Sequence, residues 1–334
     1  MQLDASLPPV ALSSVPTIAR AAETLGFDAL WTTETIHDPF LSGVLIAEHT
    51  ESLGFGTAIA VAFSRSPANL AYTSWDLAQM SKGRFILGLG TQVKAHVQRR
   101  YGMPWPESVV GKLHEQIDVI RAFWNTWQTG APLDYRGDYY KLNLMSPFFN
   151  PGPIQYPNIP IYIAGVNTGL ARLASEVADG FLVHPFHTPR YLQEILIPTI
   201  EKGLARTGRS RANFKVSVTA FAVTSPEEDL FVRAQIAFYA STPSYRAVMA
   251  LHGWEDVAER LSQLARQGMW SEMPTLINNE ILSTVAIIGK AADLPNELRE
   301  RYQNIADRLG LYLPFIPGER DSFWKELREG LKSD

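Results

Sequence analysis

Apolar positions in this chain follow two alternating rhythms. Short, nearly continuous apolar runs, the mark of buried strands, are each followed by a longer stretch in which apolar residues recur three or four apart, the mark of a helix that buries one face. Eight such runs stand out: "QLDASL" from Gln2, "DALWTT" from Asp28, "GTAIAVAF" from Gly56, "RFILGLG" from Arg84, "IPIYIAG" from Ile159, "GFLVHPF" from Gly180, "FKVSVTAFAV" from Phe214 and "RLGLYLPF" from Arg308. Between them lie amphipathic stretches such as "VPTIARAAETLG" from Val15, "PANLAYTSWDLAQMSKG" from Pro67 and "GKLHEQIDVIRAFWNTWQ" from Gly111. Each ends near a glycine or another turn signal. This order predicts parallel βα units, and eight of them close into a (β/α)8 barrel whose site lies at the C-terminal ends of the strands. The polar tail after Phe63, "SRSP", falls at that rim. An open doubly wound sheet would carry a three-glycine turn, and "GLGTQV" from Gly88 supplies only two glycines.

Two segments break the rhythm. Residues 129–158, "TGAPLDYRGDYYKLNLMSPFFNPGPIQYPN", are too long and too rich in Gly, Pro, Asn and aromatics for an ordinary connection, and are expected to form a lid. Residues 226–292 read as several helices inserted before the last strand. The expectation is one domain over residues 1–334.

With 334 residues and 46% hydrophobic content, the chain can bury a large core. A formal net charge of −4 and a pI near 6.0 leave no basic footprint for nucleic acid or for an acidic membrane surface, so neither partner is expected. The lack of cysteine removes disulfides, thiolate zinc sites and cysteine nucleophiles together. "MQLDASLPPVAL" has no basic segment leading into an apolar stretch, and the chain is expected to be soluble and cytoplasmic.

Candidate chemistry gathers at the predicted strand ends. Glu34, His37 and Asp38 follow the second strand, with His37 and Glu34 as candidate catalytic residues and Asp38 facing substrate. Histidine exchanges protons near neutral pH, although a loop histidine can equally serve as a hydrogen-bonding residue. "VHPFH" places His184, Phe186 and His187 after the sixth strand. These histidines with His37 and Asp38 could ligate a metal, but the first strand offers only Asp4 and no His-x-His, so no metal site is assigned. "AGVNTGLARLASE" follows a buried strand and opens a helix; Gly165, Val166, Asn167 and Thr168 would present N–H groups to a phosphate, or simply cap the helix. Gly88, Gly90, Thr91 and Gln92 end the fourth strand, where small residues admit a ligand and Thr91 or Gln92 can bond it. Trp105 and Phe148, with Tyr101, Tyr135, Tyr139, Tyr140 and Phe149, could wall an apolar substrate pocket or glue the lid down. Trp124 and Trp127 suit the core or an interface, and Arg65 and Arg84 could attract an anionic ligand tail.

"AETLGFDALWTTE", "GTAIAVAFSRSP", "SKGRFILGLGTQ" and "IPIYIAGVNTGLARLASEVADGFLVHPF" together resemble the luciferase-like monooxygenase superfamily of (β/α)8 oxidoreductases. With "RGDYY" and "MSPFFNPGP", the resemblance is closest to its coenzyme F420-dependent branch. The resemblance implies a bulged third strand with a non-prolyl cis peptide between Ala58 and Ile59, supporting the tricyclic ring of F420 or, alternatively, of FMN. It places Gly90, Thr91 and His184 beside the cofactor and its phosphate at Gly165–Thr168. The substrate is expected to be a small molecule met by Asp38, Trp105, Phe148, Phe186 and His187, and the resemblance implies a homodimer. Hydride transfer is the expected chemistry; an FMN monooxygenase using reduced flavin and O2, and a non-catalytic flavin-binding barrel, are the alternatives. Two departures narrow the choice. Thr35 and Ile36 stand where luciferases carry paired histidines, and Thr91, Gln92 and Val93 stand where some F420 sugar dehydrogenases carry a glutamate, which argues against a sugar phosphate.

Overall fold

Each of the eight apolar runs contributes one strand of a closed parallel barrel in the computed structural model, which describes residues 1–332. The strands are β1 (Gln2–Ser6), β2 (Ala29–Thr32), β3 (Gly54–Thr57), β4 (Phe85–Gly90), β5 (Ile161–Gly165), β6 (Gly180–Val183), β7 (Lys215–Val223) and β8 (Arg308–Pro314). They pair in sequence order, and β8 closes the ring on β1 through Leu3↔Leu309 and Asp4↔Gly310. Alternation along each strand sends one set of side chains outward under the helices and the other inward. The outward set, including Leu3, Leu30, Phe55, Leu87, Ile163 and Val218, joins the main core, while Ala29, Trp31, Ile86, Tyr162 and Leu182 pack inside the barrel.

Two runs are shorter as strands than their apolar content suggests. "GTAIAVAF" breaks after Thr57: the Ala58–Ile59 peptide is cis, Ala60–Val61 then pairs with Leu89 and Gly90, and Ala62–Ser64 forms a 3-10 turn. The cis peptide lies where the resemblance implied it. The sixth run stops at Val183, because the loop folds back on itself: the Phe186 N–H donates to His184 Nδ1 and His187 Nδ1 bonds the His184 carbonyl.

The barrel floor is polar and closed. Arg308 clasps Asp4 through Nε and Nη2 at 2.8 and 2.7 Å, and Trp31 Nε1 donates to the same carboxylate at 2.8 Å. Asp4 and Arg308 are 2% and 7% exposed. A buried pair of this kind persists because every charged atom has a close partner. Burial still pushes the Asp4 carboxyl above its ordinary range, against the pull of Arg308.

Segment 129–158 is no lid. It runs along the outer wall, where the Glu115 carboxylate accepts from the N–H groups of Asp138, Tyr139 and Tyr140. Farther on, Tyr72 and Trp75 of helix Pro67–Met80 donate to the carbonyls of Phe149 and Gly152. It is a strap across two barrel helices. The inserted segment does contain helices, Pro226–Ala240, Arg246–Leu251, Glu255–Gln267 and Asn279–Val285, and adds strand Ala286–Ile288 outside the ring against the end of β7. Among the described residues, no helix is long and apolar enough to cross a membrane.

Candidate functional site

Above the floor, the inward positions change character. Ser6, Gly56, Ala58, Gly88, Gly90, Ala164, Thr219 and Gly310 are small, with Leu182, in register with Ala164, a bulky exception, whereas barrels of this type are ordinarily filled by layers of bulky side chains. Some of this smallness is structural. A Cβ on Gly88 would lie 1.8 Å from the Thr57 carbonyl oxygen, one on Gly56 would meet Trp31 at 2.7 Å, and one on Gly90 would meet the Ile59 side chain at 2.8 Å. Gly90 therefore makes room for the bulge. At Gly310 the nearest atom to such a Cβ is the Asp4 carbonyl oxygen at 3.3 Å and nothing else lies within 4 Å. The remaining space is a cradle bounded by the Ala58–Ile59 bulge, open toward the C-terminal ends and floored by Trp31 and Tyr162.

The polar tail after β3 has a defined use. Ser66 caps helix Pro67–Met80 by accepting from Asn69 N, with Pro67 opening the helix. Arg65 bridges Glu34 and Asp38, so the loop after β2 is bolted to the loop after β3. Glu34, 6% exposed in its side chain, accepts from Val61 N at 2.7 Å and from Tyr101 Oη at 2.8 Å as well. Both carboxylate oxygens are thus engaged. Asp38 also caps the next helix by accepting from Phe40 N. His37, between these two acids, is exposed on the braced loop.

Anion-binding features appear after β5. Helix Thr168–Val177 begins there, and the N-cap Asn167 makes no side-chain capping bond; its Nδ2 instead donates to the Ser244 carbonyl at 2.9 Å. The first-turn N–H groups, which have no partner within a helix, therefore remain available. Gly165 allows the helix to start close to the strand, since a Cβ would meet Leu170 Cβ at 2.8 Å. Val166 is buried and its carbonyl accepts from Tyr191.

An aromatic wall closes the β6–β8 side. His184 Nε2 contacts Tyr245 Oη at 3.1 Å, and because Nδ1 accepts an N–H, Nε2 must carry the proton. Burial, reinforced by His187, pushes His184 down to about 3, so the ring is neutral at pH 7. Tyr239 and Tyr312 share a 2.8 Å bond, and Tyr312 reaches Gln235 at 3.2 Å. Burial raises Tyr245 to about 12, keeping its phenol protonated.

The structure brings Glu34, His37, Asp38, Ala58, Ile59, Gly90, Thr91 and His184 to one mouth, with Gly165–Thr168 on its rim. Other expectations fail on placement. His187 is 1% exposed with both ring nitrogens engaged, by the His184 carbonyl and by Tyr302 Oη at 3.0 Å, and Phe186 is fully buried beneath Tyr245, so neither presents a surface to substrate. Burial pushes His187 down to about 4. Phe148, 89% exposed, sits on the outer strap with Phe149 and not at the mouth. Trp105 is half-buried, edge-on to Phe63. Arg84 lies at the opposite end of the barrel, bonded to the Ala47, Thr50 and Leu53 carbonyls, and Arg65 is held by two carboxylates, so neither is free for an anionic tail. Trp124 and Trp127 are buried in the core. The sequence reading missed Trp31 and the tyrosines at 239, 245 and 312. Strand parity groups Tyr312 with Arg308 and Trp31 with Ala29; the two helical tyrosines carried no such signal.

The family model for luciferase-like monooxygenases matches residues 2–308. An uncharacterized protein of Mycobacterium tuberculosis is 41% identical over 315 residues, covering 92% of each chain. The 5,10-methylenetetrahydromethanopterin reductase of Archaeoglobus fulgidus is 27% identical over 294 residues, covering 84% of this chain and 83% of its own. Among solved structures, the coenzyme F420 dependent tetrahydromethanopterin reductase of Methanopyrus kandleri superimposes with a TM-score of 0.79 at 21% identity, covering 98% of this chain and 96% of its own.

Proposed function

Because the chain belongs to the luciferase-like monooxygenase family, we propose that it is an F420-dependent oxidoreductase transferring hydride between the deazaflavin and a small or medium organic substrate. The observation that carries this reading is the layer of small inward residues over the Trp31 floor: a barrel has no packing reason to leave Gly310 facing open space, whereas a planar ring needs such a slot. The uncapped start of helix Thr168–Val177, with Asn167 turned toward Ser244, fits the phosphate of the same ligand. The protein residues suited to hold it are therefore Ala58, Ile59, Gly90, Thr91 and His184 around the ring, and Gly165, Val166, Asn167 and Thr168 at the phosphate. When bound, the deazaflavin supplies or takes up the hydride.

The chain's own residues divide the remaining work. Glu34 acts through the loop it braces, since both its oxygens are committed, and is a positioning residue. His37, exposed on that loop, is the candidate to exchange a proton with substrate, and Asp38 fixes its backbone from the other side. Neutral His184 offers its Nε2 proton to Tyr245, leaving the phenol hydrogen free for a ligand oxygen. A homodimer in the cytoplasm completes the reading.

Side-by-side titration of the purified protein with F420 and with FMN tests it. Saturable binding of F420, with little of FMN, is expected. Saturation by FMN alone would replace the reading with a flavin monooxygenase, and saturation by neither would overturn it. Light scattering on the eluting protein reads the dimer.

A further inference from the structure

A basic run crowns the mouth where β4 ends. Residues 94–100, "KAHVQRR", form helix Lys94–Arg99 and the residue after it, and Lys94, His96, Arg99 and Arg100 are all exposed while Val97 is buried on the opposite face. Among the described residues, none of these four has a carboxylate partner. Other surface arginines are paired with carboxylates, as with Arg136–Asp134, Arg190–Glu194, Arg246–Glu259 and Arg266–Glu259, and those without such a partner, Arg20, Arg172 and Arg260, stand singly in the sequence, whereas this run sets four basic residues within seven positions. Arg100 alone is tied down, donating to the Thr35 carbonyl at 2.6 Å and lying 4.9 Å over the Tyr101 ring, which fixes the run across the mouth. In a chain of formal net charge −4, an unpaired basic run is a local reversal of sign.

Position adds the second argument. β4 pairs with β5 through Leu89↔Ile163, so the run rises beside the strand that leads to Asn167 and Thr168. A ligand whose phosphate rests there and whose remainder leaves the barrel meets these cations on its neighbouring side. Arg65 and Arg84, the two arginines that the sequence singled out for an anionic tail, are committed elsewhere.

We propose that Lys94 and Arg99, with His96 and Arg100 beside them, hold the oligoglutamate tail of the deazaflavin. This rests on the F420 reading above. Each γ-glutamyl unit carries one carboxylate, and a flexible chain of them matches a row of flexible cations better than one fixed phosphate would. Exposed pairs of this kind are individually weak and are screened by salt, so the contribution is additive and sensitive to ionic strength.

The test compares two coenzyme forms, F420 with its glutamates and the form that ends at the phosphate, on the wild-type chain and on the Lys94→Gln/Arg99→Gln double variant. Fluorescence titration reads Kd. The double variant should weaken the tailed form by roughly fivefold and leave the tail-less form within about twofold. Raising salt should weaken the tailed form on the wild type and do so less on the variant. Equal Kd values for both proteins with the tailed form, or an equal loss with both forms, would overturn the proposal while leaving the F420 reading intact. A wild-type chain that binds neither form overturns the F420 reading itself, and the tail assignment with it.

Discussion

Replacing Arg308 by methionine would test how the floor of the cradle is held. The substitution keeps most of the side-chain volume and removes the guanidinium that clasps Asp4 at 2.7 and 2.8 Å, leaving Trp31 Nε1 as the carboxylate's remaining side-chain donor. Breaking one side of a buried pair costs about 3–5 kcal/mol, a large share of the roughly 5–15 kcal/mol that holds a folded domain together. The pH dependence gives the sharper check. Burial already raises the folded-state pKa of Asp4, and loss of Arg308 raises it further, so the folded variant binds a proton at a pH where the unfolded chain does not. Its deficit relative to wild type is therefore largest at neutral pH and shrinks as pH falls toward 5. Urea unfolding of both proteins at pH 7 and pH 5, followed by tryptophan fluorescence, measures the difference. Adding Asp4→Asn to the variant should recover much of the loss at pH 7. A deficit under about 1 kcal/mol, or one that stays constant between the two pH values, would refute the account.

Other outcomes follow from the same geometry. Gly310→Val places its branches in the cradle with only the Asp4 carbonyl nearby, so stability should change by about 1–2 kcal/mol while F420 affinity falls at least roughly tenfold in a fluorescence titration. Gly88→Ala, by contrast, drives a methyl into the Thr57 carbonyl, and should lower the melting temperature before any effect on binding can be measured. Tyr101→Phe removes one bond from Glu34 and should cost about 1 kcal/mol in denaturant unfolding, with Tyr101→Leu costing more. His184 and His187 are held down to about 3 and about 4, whereas unfolded histidines take up protons near pH 6.5. Their contribution is present above that pH and is lost on acidification, at up to about 2.7 kcal/mol per pH unit for the pair. Equilibrium unfolding between pH 7 and pH 5 measures that slope, and His184→Asn should flatten it.

The barrel was legible because its signal is repeated. Eight apolar runs, each bracketed by turn residues, admit few topologies, and a wrong boundary at one does not disturb the rest. What the pattern could not convey was where a polar or aromatic segment docks. Residues 129–158 have the length and composition of a lid, but those properties follow equally from a strap whose backbone N–H groups are satisfied by Glu115 and whose carbonyls are met by Tyr72 and Trp75. Charge was misjudged for a related reason. Arg65 and Arg84 read as free cations from their letters alone, yet each is consumed by groups brought from distant sequence, Glu34 and Asp38 in one case and the end of helix Pro39–His49 in the other. Strand parity links Trp31 to Ala29 and Tyr312 to Arg308, but which of the two faces of each strand points inward is set by the closed ring and not by the alternation itself. Tyr239 and Tyr245 depend on how an inserted helix leans over the ring, which no periodicity records.

The placement of the strap also separates two jobs that barrel enzymes often combine in one loop. Residues 129–158 grip the exterior of the molecule, whereas the entrance is framed by 91–108 on one flank and 226–251 on the other. Anyone wishing to redirect this scaffold toward a new reactant would graft or randomise those two flanks, and could trim the exterior belt beyond Tyr140 as a question of durability, keeping Tyr139, whose hydroxyl accepts from Ser108 N at the end of the first flank.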